Sequence, residues 1–326
     1  MLDSPTASFV PRPRLHETDR IAVASDPAAT WSAVRRFDLY QLPWVRALFA
    51  LRGAGGKTAT FDDITAPGNG FRRLAEDEGR FIVIGAIGKF WRPRIPFVQV
   101  DPTAFAAFDE PDFGRVAWSI EVIPRGDGGS WIVVDLRVDA TSDEAWSSFV
   151  PYWIAIGRFS RSIRRHTLRH FERTLGRARP DSERRLPGDD LLPPSCGTVT
   201  EAITIEAPVA DVWPSVERLA ANDDLAVLDR EPGRALVLGS PSLLARVEIE
   251  PSAYLVTWAF FLEPIDAGAT YLVVRVRADF TSPTLSRVAR PFLLALHSWM
   301  ESAQLRQLEA RVTRALLDRH AGAPQG

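Results

Sequence analysis

The chain of 326 residues has little of what would assign a function directly. It contains one cysteine, Cys196, which excludes an intramolecular disulfide and favours a reducing compartment. Its longest apolar stretches fall well short of the ~20 residues that a membrane-spanning helix needs, so no integral membrane association is predicted. Residues 1–18 contain an early acid and several prolines but no apolar core, which is not typical of a signal peptide. We therefore expect a cytoplasmic protein.

Signatures of catalysis and of nucleic-acid binding are also missing. The sequence has no Gly-x-Ser-x-Gly motif, no His-Glu-x-x-His motif and no cysteine–histidine pair, which excludes the usual hydrolase signatures. The glycine-rich segment 53–58 lacks the first glycine of a phosphate-binding loop, because Leu51 stands at that position. The net charge of −2 provides no overall field that attracts nucleic acid. No cofactor and no nucleic-acid partner are expected.

Histidines and arginines are concentrated in one predicted helix. His166 and His170 are four residues apart and close enough to share a metal ion, but no third ligand lies at a supporting spacing. Seven arginines between residues 158 and 177 make the same helix basic. An electrostatic footprint for nucleic acid or anionic lipid has no supporting motif. We favour a solvated helix face and predict no metal site.

The chain does contain an internal repeat, with an offset of 140 residues. Residues 116–141 match residues 256–281, as VAWSIEVIPRGDGGSWIVVDLRVDAT against VTWAFFLEPIDAGATYLVVRVRADFT. The beginnings of the two copies also match, so that Trp31 corresponds to Trp213. A period of this length is far longer than that of a solenoid repeat and indicates two copies of one domain.

Composition predicts where the two copies begin and end. A proline-rich, charged segment without periodicity joins them and is predicted to be a linker. The second copy is 42 residues shorter between its matching tryptophans, so part of its early helices and strands is expected to be missing or reduced. The predicted organisation is a flexible arm at 1–18, a first domain at 19–176, the linker at 177–196, a shorter second domain at 197–320 and a tail at 321–326.

Alternation of apolar residues predicts two strands in the first copy, at 115–123 and 131–141. The linker PRGDGG between them supplies the glycines that a hairpin turn requires. On the second strand, Asp135, Arg137 and Asp139 alternate with the apolar residues. We expect these three side chains to face solvent and to form cross-strand ion pairs of small value.

A long helix is predicted over 143–176. Pro151 and Gly157 lie inside it, so a break or kink is expected near Gly157. The register of the repeat places Trp118 and Trp258 on the concave faces of their sheets, against the long helix of each copy.

The order of predicted elements is strand, helices, antiparallel strands and a long C-terminal helix. It resembles the helix-grip fold of the SRPBCC superfamily, which includes START-like lipid-binding domains and the polyketide cyclase/dehydrase and lipid-transport group. The first copy is similar to a bacterial subgroup in four motifs: Phe71–Leu74, Ile82–Trp91, Phe105–Trp118 and Tyr152–Arg169. The resemblance implies an α+β fold of two tandem helix-grip domains, each with an antiparallel sheet wrapped around a long C-terminal helix. It also implies an apolar cavity between sheet and helix.

The leading functional hypothesis is binding of a hydrophobic small molecule, lipid- or polyketide-like, in a cavity of the first domain. The first copy has more aromatic residues than a small sheet-plus-helix core usually carries, and close packing of these rings without a void is the competing interpretation. The predicted lining consists of Phe81, Trp91, Phe105, Phe108, Trp118, Ile120, Phe149, Trp153, Ile156 and Ile163.

Two alternatives stay open. The first is a cyclase- or dehydratase-type enzyme acting on an aromatic or polyketide-like substrate, in which Arg73, Tyr152 or His166 reaches the cavity as acid or base. The second is a structural or partner-binding protein whose cores are both filled. In either case the truncated second copy is expected to have a filled core and to act as a scaffold or lid. The ligand, the oligomeric state and any partner protein are left open.

Overall fold

The computed structural model of the chain describes residues 4–41, 46, 57–194, 196–221, 226–239, 256–279, 310 and 312. The chain divides into two units between Ala178 and Arg179. We call residues 3–178 unit one and residues 179–326 unit two. The glycine-rich segment at 53–56, nearly all of the second copy's predicted helix and the tail lie outside the described residues.

Unit one contains a six-stranded antiparallel sheet and one long helix. The strand order across the sheet is β1-β6-β5-β3-β2, with β4 beside β3, so the first strand pairs with the last. The predicted hairpin is confirmed as β5 and β6. The elements in chain order are β1 (Leu15–Val23), α1 (Pro27–Arg36), α2 (Phe61–Ile64), β2 (Arg72–Asp77), β3 (Phe81–Gly88), β4 (Phe97–Val98), β5 (Gly114–Pro124), β6 (Ser130–Ala140) and α3 (Asp143–Leu175).

The long helix α3 is continuous over 33 residues, and the predicted break near Gly157 is wrong. Ser142 caps its first turn by accepting a hydrogen bond from the backbone N–H of Ala145. Gly157 serves close packing instead of a break, because a Cβ at this position would lie only 3.0 Å from the indole of Trp153. Pro151 is accommodated inside the helix, where it removes a single backbone donor.

The core of unit one lies between α1, α3 and one face of the sheet, which we call the inner face. Alternation along β5 places Trp118, Ile120 and Val122 on this face, and they belong to the cluster that also contains Trp31 of α1 and Phe171 of α3. The concave placement predicted for Trp118 is therefore confirmed.

The opposite, outer face of the sheet is covered by residues 4–14. Val10 is completely buried and packs in one cluster with Val83 and Phe105. The strand β1 begins at Leu15, so the prediction of a flexible arm over 1–18 is wrong. Apolar residues of the outer face need a cover, and the N-terminal segment supplies it.

The same segment covers the charged row of β6, which was predicted to face solvent. Asp135 is buried and accepts hydrogen bonds from the hydroxyls of Ser4 (2.6 Å) and Thr6. His16 lies 2.5 Å from the same carboxylate, and Arg137 donates to the other oxygen at 3.2 Å. Burial by itself raises the pKa of Asp135, but the hydrogen bonds from His16, Ser4 and Thr6 outweigh it and hold that pKa well below its usual range.

Unit two repeats this sheet in a smaller form. Its strand order, β7-β11-β10-β9-β8, corresponds strand by strand to that of unit one without β4, so the predicted smaller sheet is confirmed for the described residues. Val312 of the predicted C-terminal helix is helical and buried in the inner-face cluster of this sheet. The elements are β7 (Gly197–Ile205), α4 (Val209–Glu217), β8 (Ala226–Glu231), β9 (Ala235–Gly239), β10 (Val256–Asp266) and β11 (Ala269–Ala278).

Equivalent contacts show that the repeat extends to details. Ser130 donates its hydroxyl proton to the carbonyl of Ser25 at 2.8 Å, and Thr270 does the same to Ala207 at 2.7 Å. The two donors are separated by the 140-residue offset. Trp258, which corresponds to Trp118, packs with the inner-face cluster of unit two, as the register predicts. The described part of unit two therefore repeats the sheet and the early helix of unit one.

Residues 181–194, predicted as part of a linker, cover the outer face of the second sheet. Arg184 is buried and donates to Glu263 at 3.0 Å. Arg275 donates to the carbonyl of Arg184 at 2.7 Å and to the carboxylate of Asp189 at 2.6 Å. Leu186 packs beneath this segment in an apolar cluster of the sheet. The segment therefore belongs to the fold of unit two and is not a free connection.

Candidate functional site

The candidate site lies on the inner face of unit one, beneath α3. Three neighbouring strands, β3, β5 and β6, supply this face, and their side chains alternate between the two faces of the sheet. The described inner-face positions of these strands are apolar, so the floor of the site carries no charge. They are Ile82, Ile84, Ala86, Val116, Trp118, Ile120, Val122, Ile132, Val134, Leu136 and Val138.

Trp118 is the larger of the two members of this set that are only half-buried, the other being Val116. It lies on the central strand β5, directly opposite Ile84 on β3 and Leu136 on β6. Those neighbours are 0% and 7% exposed, and Ile120 next on the same face is 3% exposed, yet Trp118 is only half-buried. A large side chain in the middle of a buried face retains accessible surface only where the layer above it does not close on it. We therefore take the space next to the accessible surface of Trp118 as the candidate site.

The helix above shows the same pattern along one of its sides. Phe149, Ile156, Ile163 and Thr167 recur at intervals that keep them within about 40° of one another around the helix axis. Phe149 is almost fully buried near the start of this side, whereas Ile156 and Ile163 in its middle are only half-buried. Trp118 belongs to the clusters at both ends of this span. The half-buried residues of this side thus lie between the two clusters to which Trp118 belongs.

Aromatic rings border this space on several sides. The ring of Phe61, from α2, lies 5.9 Å from that of Trp118. Trp153 stacks on Phe149 with their centroids 5.8 Å apart. Trp91 and Phe149 belong to the same cluster, as does Trp153. The structure therefore brings together, on or around the inner face, these predicted lining residues: Trp91, Trp118, Ile120, Phe149 and Trp153. Ile156 and Ile163 lie on the side of α3 that carries Phe149 and stay predicted lining residues.

Three predicted lining residues, Phe81, Phe105 and Phe108, do not belong to this site. All three pack in the outer-face cluster beneath the N-terminal segment, and their assignment to the cavity is wrong. Phe81 shares its face of β3 with Val83, opposite to Ile82. Phe105 lies over Gly85, where a Cβ would come within 2.9 Å of the phenyl ring.

The predicted acid–base residue Arg73 lies at the edge of the site, within a cluster of charges. It projects from β2, donates to Glu76 at 2.7 Å and also pairs with Asp62. Arg35 of α1 completes the cluster, with its Nε 3.5 Å from Glu76. These pairings engage both terminal nitrogens of Arg73, whereas its Nε is buried without a hydrogen-bond partner among the described residues.

Of the other two acid–base candidates, Tyr152 lies next to the site and His166 does not. Tyr152 packs its ring against Phe149, with centroids 5.7 Å apart, in the cluster that adjoins the site. His166 is exposed on α3, where its Nδ1 lies 2.8 Å from the carbonyl oxygen of Ser162. Its prediction as a residue that reaches the cavity is wrong, because its side chain is exposed and projects about 80° around the helix from Ile156.

His170, the other histidine of α3, packs against an aromatic ring of the core. Its ring packs 5.0 Å from that of Phe37, and burial together with the nearby charge of Arg173 lowers its pKa. Across the described part of the chain, no cluster of three or more histidine, cysteine, aspartate or glutamate side chains is placed to hold a metal ion. Among the described helices, none has the length and apolar character needed to cross a membrane.

Sequence reasoning missed three residues of the site: Phe61, Phe71 and Thr167. Phe61 and Phe71 lie on short or irregular segments, where no periodicity marks the buried face. Thr167 is 8% exposed, and its hydroxyl has no hydrogen-bond partner among the described residues. Thr167 could have been found from its spacing, because it lies 18 residues, or five helical turns, after Phe149 and therefore on the same side of the helix.

Comparisons with known proteins add likenesses of low identity. No family model matches the chain, and no curated protein matches it. Among solved structures, the di-domain ARO/CYC StfQ from the steffimycin biosynthetic pathway is 12% identical, with 95% of this chain and 100% of that chain covered and a TM-score of 0.25. The Zhui aromatase/cyclase from Streptomyces sp. R1128 is 16% identical, covering 40% of this chain and 99% of that one, with a TM-score of 0.27.

A START superfamily protein from Mycobacterium smegmatis is 15% identical, covering 36% of this chain and 98% of that one, with a TM-score of 0.24. The strand order and register described above are those of a helix-grip fold in unit one, and the described sheet of unit two repeats them.

Proposed function

We propose that unit one binds a hydrophobic small molecule, lipid- or polyketide-like, between α3 and the inner face of its sheet. The observation that carries this proposal is the half-buried Trp118 among neighbours that are almost completely buried. Binding sites for small molecules are concave and mostly apolar, with few polar groups, and the described floor of this site is apolar throughout.

Burial of the ligand supplies the affinity. Each Å² of apolar surface removed from water contributes roughly 25 cal/mol before the cost of ordering the ligand. The rings of Phe61, Trp118 and Trp153 offer flat surfaces on which a planar or aromatic ligand would stack. The charged cluster around Arg73 and Glu76 at one rim favours ligands whose apolar part enters first.

The test fills the site from the helix side. Ile156→Trp adds an indole beneath α3 and is expected to abolish binding of an apolar fluorescent probe by the full chain. The matched control is Ile154→Trp, two residues away on the same helix, where the side chain is 72% exposed. The control should bind the probe as the wild type does. Equal binding by both variants would refute the proposed location.

A second experiment asks whether a ligand accompanies the protein. Small molecules released from the purified full chain by denaturation are identified by mass spectrometry, for the wild type and for Ile156→Trp. We expect an apolar compound that is present with the wild type and depleted in the variant. A compound recovered equally from both would be bound elsewhere.

An enzyme of cyclase or dehydratase type is the second candidate, and the position of Tyr152 favours it over a purely structural role. Its phenol lies on α3 in the cluster that adjoins the site, so a ligand beneath α3 would come near a proton donor. Tyr152→Phe separates the two functions. An enzyme would lose turnover of its bound compound and keep its affinity, whereas a carrier would change in neither respect.

A further inference from the structure

The underside of α3 carries one polar group that the fold leaves unused. Thr167 is 8% exposed, and its Oγ1 has no hydrogen-bond partner among the described residues. A buried hydroxyl without a partner costs about 1–3 kcal/mol, and buried polar groups are nearly always paired. Such a group in the wall of a binding site is commonly paired by what the site binds.

The neighbouring hydroxyl on the same helix shows the contrast. Thr174 is exposed, and it donates to the backbone carbonyl of His170, one turn earlier, at 2.9 Å. Threonines in helices usually satisfy their hydroxyl in this way. The hydroxyl of Thr167 makes no such hydrogen bond, although Thr167 is far more buried than Thr174.

The position of Thr167 connects it with the proposed site. It lies five helical turns from Phe149 and three from Ile156, on the side of α3 that faces the sheet. The next residue, Leu168, packs in the inner-face cluster to which Trp118 also belongs. A molecule lying along the half-buried stretch from Trp118 past Ile156 would therefore meet the hydroxyl of Thr167 at one end.

Charge narrows the class of molecule further. The described inner-face side chains of β3, β5 and β6 are apolar. The edge strands place charges on this face, Arg73 and Glu76 on β2 and Glu17 and Asp19 on β1, and these charges pair with one another or with arginines of the helices. Arg164, one turn before Leu168, is itself paired with Glu17 and Asp19 on β1. A charged group buried near Thr167 would have no counter-ion and would pay a large desolvation cost.

Resting on the proposed function, we propose that Thr167 is a specificity-determining residue of that site. It hydrogen-bonds a hydroxyl or carbonyl oxygen of a neutral ligand that is otherwise apolar. The hydroxyl can both donate and accept, so either kind of oxygen satisfies it. The site would thus prefer an apolar ring system with one neutral oxygen over the same ring system without it, and would reject the corresponding carboxylate.

The test compares three probes of one shape by equilibrium dialysis against the full chain: naphthalene, 2-naphthol and 2-naphthoate. The wild type is expected to bind 2-naphthol about fivefold more tightly than naphthalene, which corresponds to one net hydrogen bond. The carboxylate is expected to bind too weakly to measure. Thr167→Val keeps the shape of the side chain and should bind 2-naphthol and naphthalene equally, with the affinity for naphthalene unchanged.

Thr174→Val is the matched control and should keep the preference for 2-naphthol. A second measurement is thermal unfolding without a probe. Thr167→Val should raise the midpoint, because an unpartnered buried hydroxyl is removed, whereas Thr174→Val should not.

The outcomes separate the two proposals. If the wild type binds naphthalene and 2-naphthol equally, the role of Thr167 is refuted and the apolar site stands. Tight binding of 2-naphthoate would refute the neutral class. If neither neutral probe binds the wild type, the proposed site fails, and the role of Thr167 fails with it.

Discussion

In unit one the outer face of the sheet is covered by residues 4–14, which converge on the carboxylate of Asp135. In unit two it is covered by residues 181–194, which converge on the guanidinium of Arg275. These two residues occupy equivalent positions, 140 apart. The first accepts hydrogen bonds from hydroxyls of its cover, and the second donates to the carbonyls and the carboxylate of its own. The cover is common to both units, whereas the sign of the charge that holds it is reversed.

A second reversal of charge concerns the ion pair between the early helix and the edge strand of each unit. In unit one Arg35 of α1 pairs with Glu76 of β2. In unit two the equivalent helix α4 carries Glu217, which pairs with Arg230 of β8. Both edge strands also have a bulge two residues before the paired position. Both copies therefore have an ion pair between the early helix and the edge strand, but the acidic and basic residues of the pair are exchanged between the two copies.

Removing the guanidinium from the second outer face should have the largest effect. Arg275 is 4% exposed and holds four partners, among them Asp189 at 2.6 Å. Arg275→Met should lower the free energy of unfolding of unit two by about 3–5 kcal/mol, because a half-buried carboxylate and two carbonyls lose their donor. Urea unfolding of the full chain measures it. The control, Arg185→Ala, removes an exposed arginine that pairs with Asp190, and it should leave the curve unchanged. A small effect for both variants would mean that the cover is dispensable.

Removing the negative charge from the first outer face should have a smaller effect that depends on pH. The hydrogen bonds that hold the pKa of Asp135 below its unfolded value of about 3.9 stabilise unit one fully above that pH. The stabilisation is lost as the pH falls below about 4. Asp135→Asn should cost about 2 kcal/mol at pH 7 and should flatten the acid limb of the stability curve. Asp143→Asn, at an exposed carboxylate, is the control. An unchanged acid limb in Asp135→Asn would contradict this origin of the acid sensitivity.

Exchanging the charges of the helix–strand pair should have the smallest effect and the most direct bearing on the comparison. Arg35→Glu and Glu76→Arg should each cost about 1 kcal/mol, since each brings like charges together. The double variant should recover part of that loss, because it reproduces the arrangement of Glu217 and Arg230 in unit two, although Arg73 loses the carboxylate to which it donates. Thermal unfolding of the three variants gives the coupling energy. A double variant no more stable than the weaker single variant would show that the pair is fixed by its surroundings.

The parts of this structure that follow a local period were predictable from the sequence. The hairpin and its register came from alternation, and the inner-face position of Trp118 was predicted correctly for that reason. Phe81 followed the same rule, but its aromatic character was given more weight than its place in the alternation. Reading β3 strictly would have put Phe81 on the face opposite to Ile82.

The covers of the two outer faces could not be predicted in this way. Residues 4–14 contain three prolines and no period, and they are held in place by Asp135, more than a hundred residues later. The same holds for Arg275, whose partners lie in a segment that reads as a linker. Contacts of this kind depend on the complete sheet, because the carboxylate or guanidinium is buried only after the strands have paired.

The pairing of first strand with last also determines when each unit can fold during synthesis. Leu15 of β1 pairs with Val138 of β6, so the sheet of unit one closes only after nearly all of its residues have left the ribosome. Until then β5 lacks a neighbour on one side, and the N-terminal segment has no Asp135 to bind. Such long-range closure is slow compared with local pairing, and it leaves apolar strand edges open to other chains. Pausing of synthesis before residue 130 would prolong that exposure, whereas pausing after α3 would not.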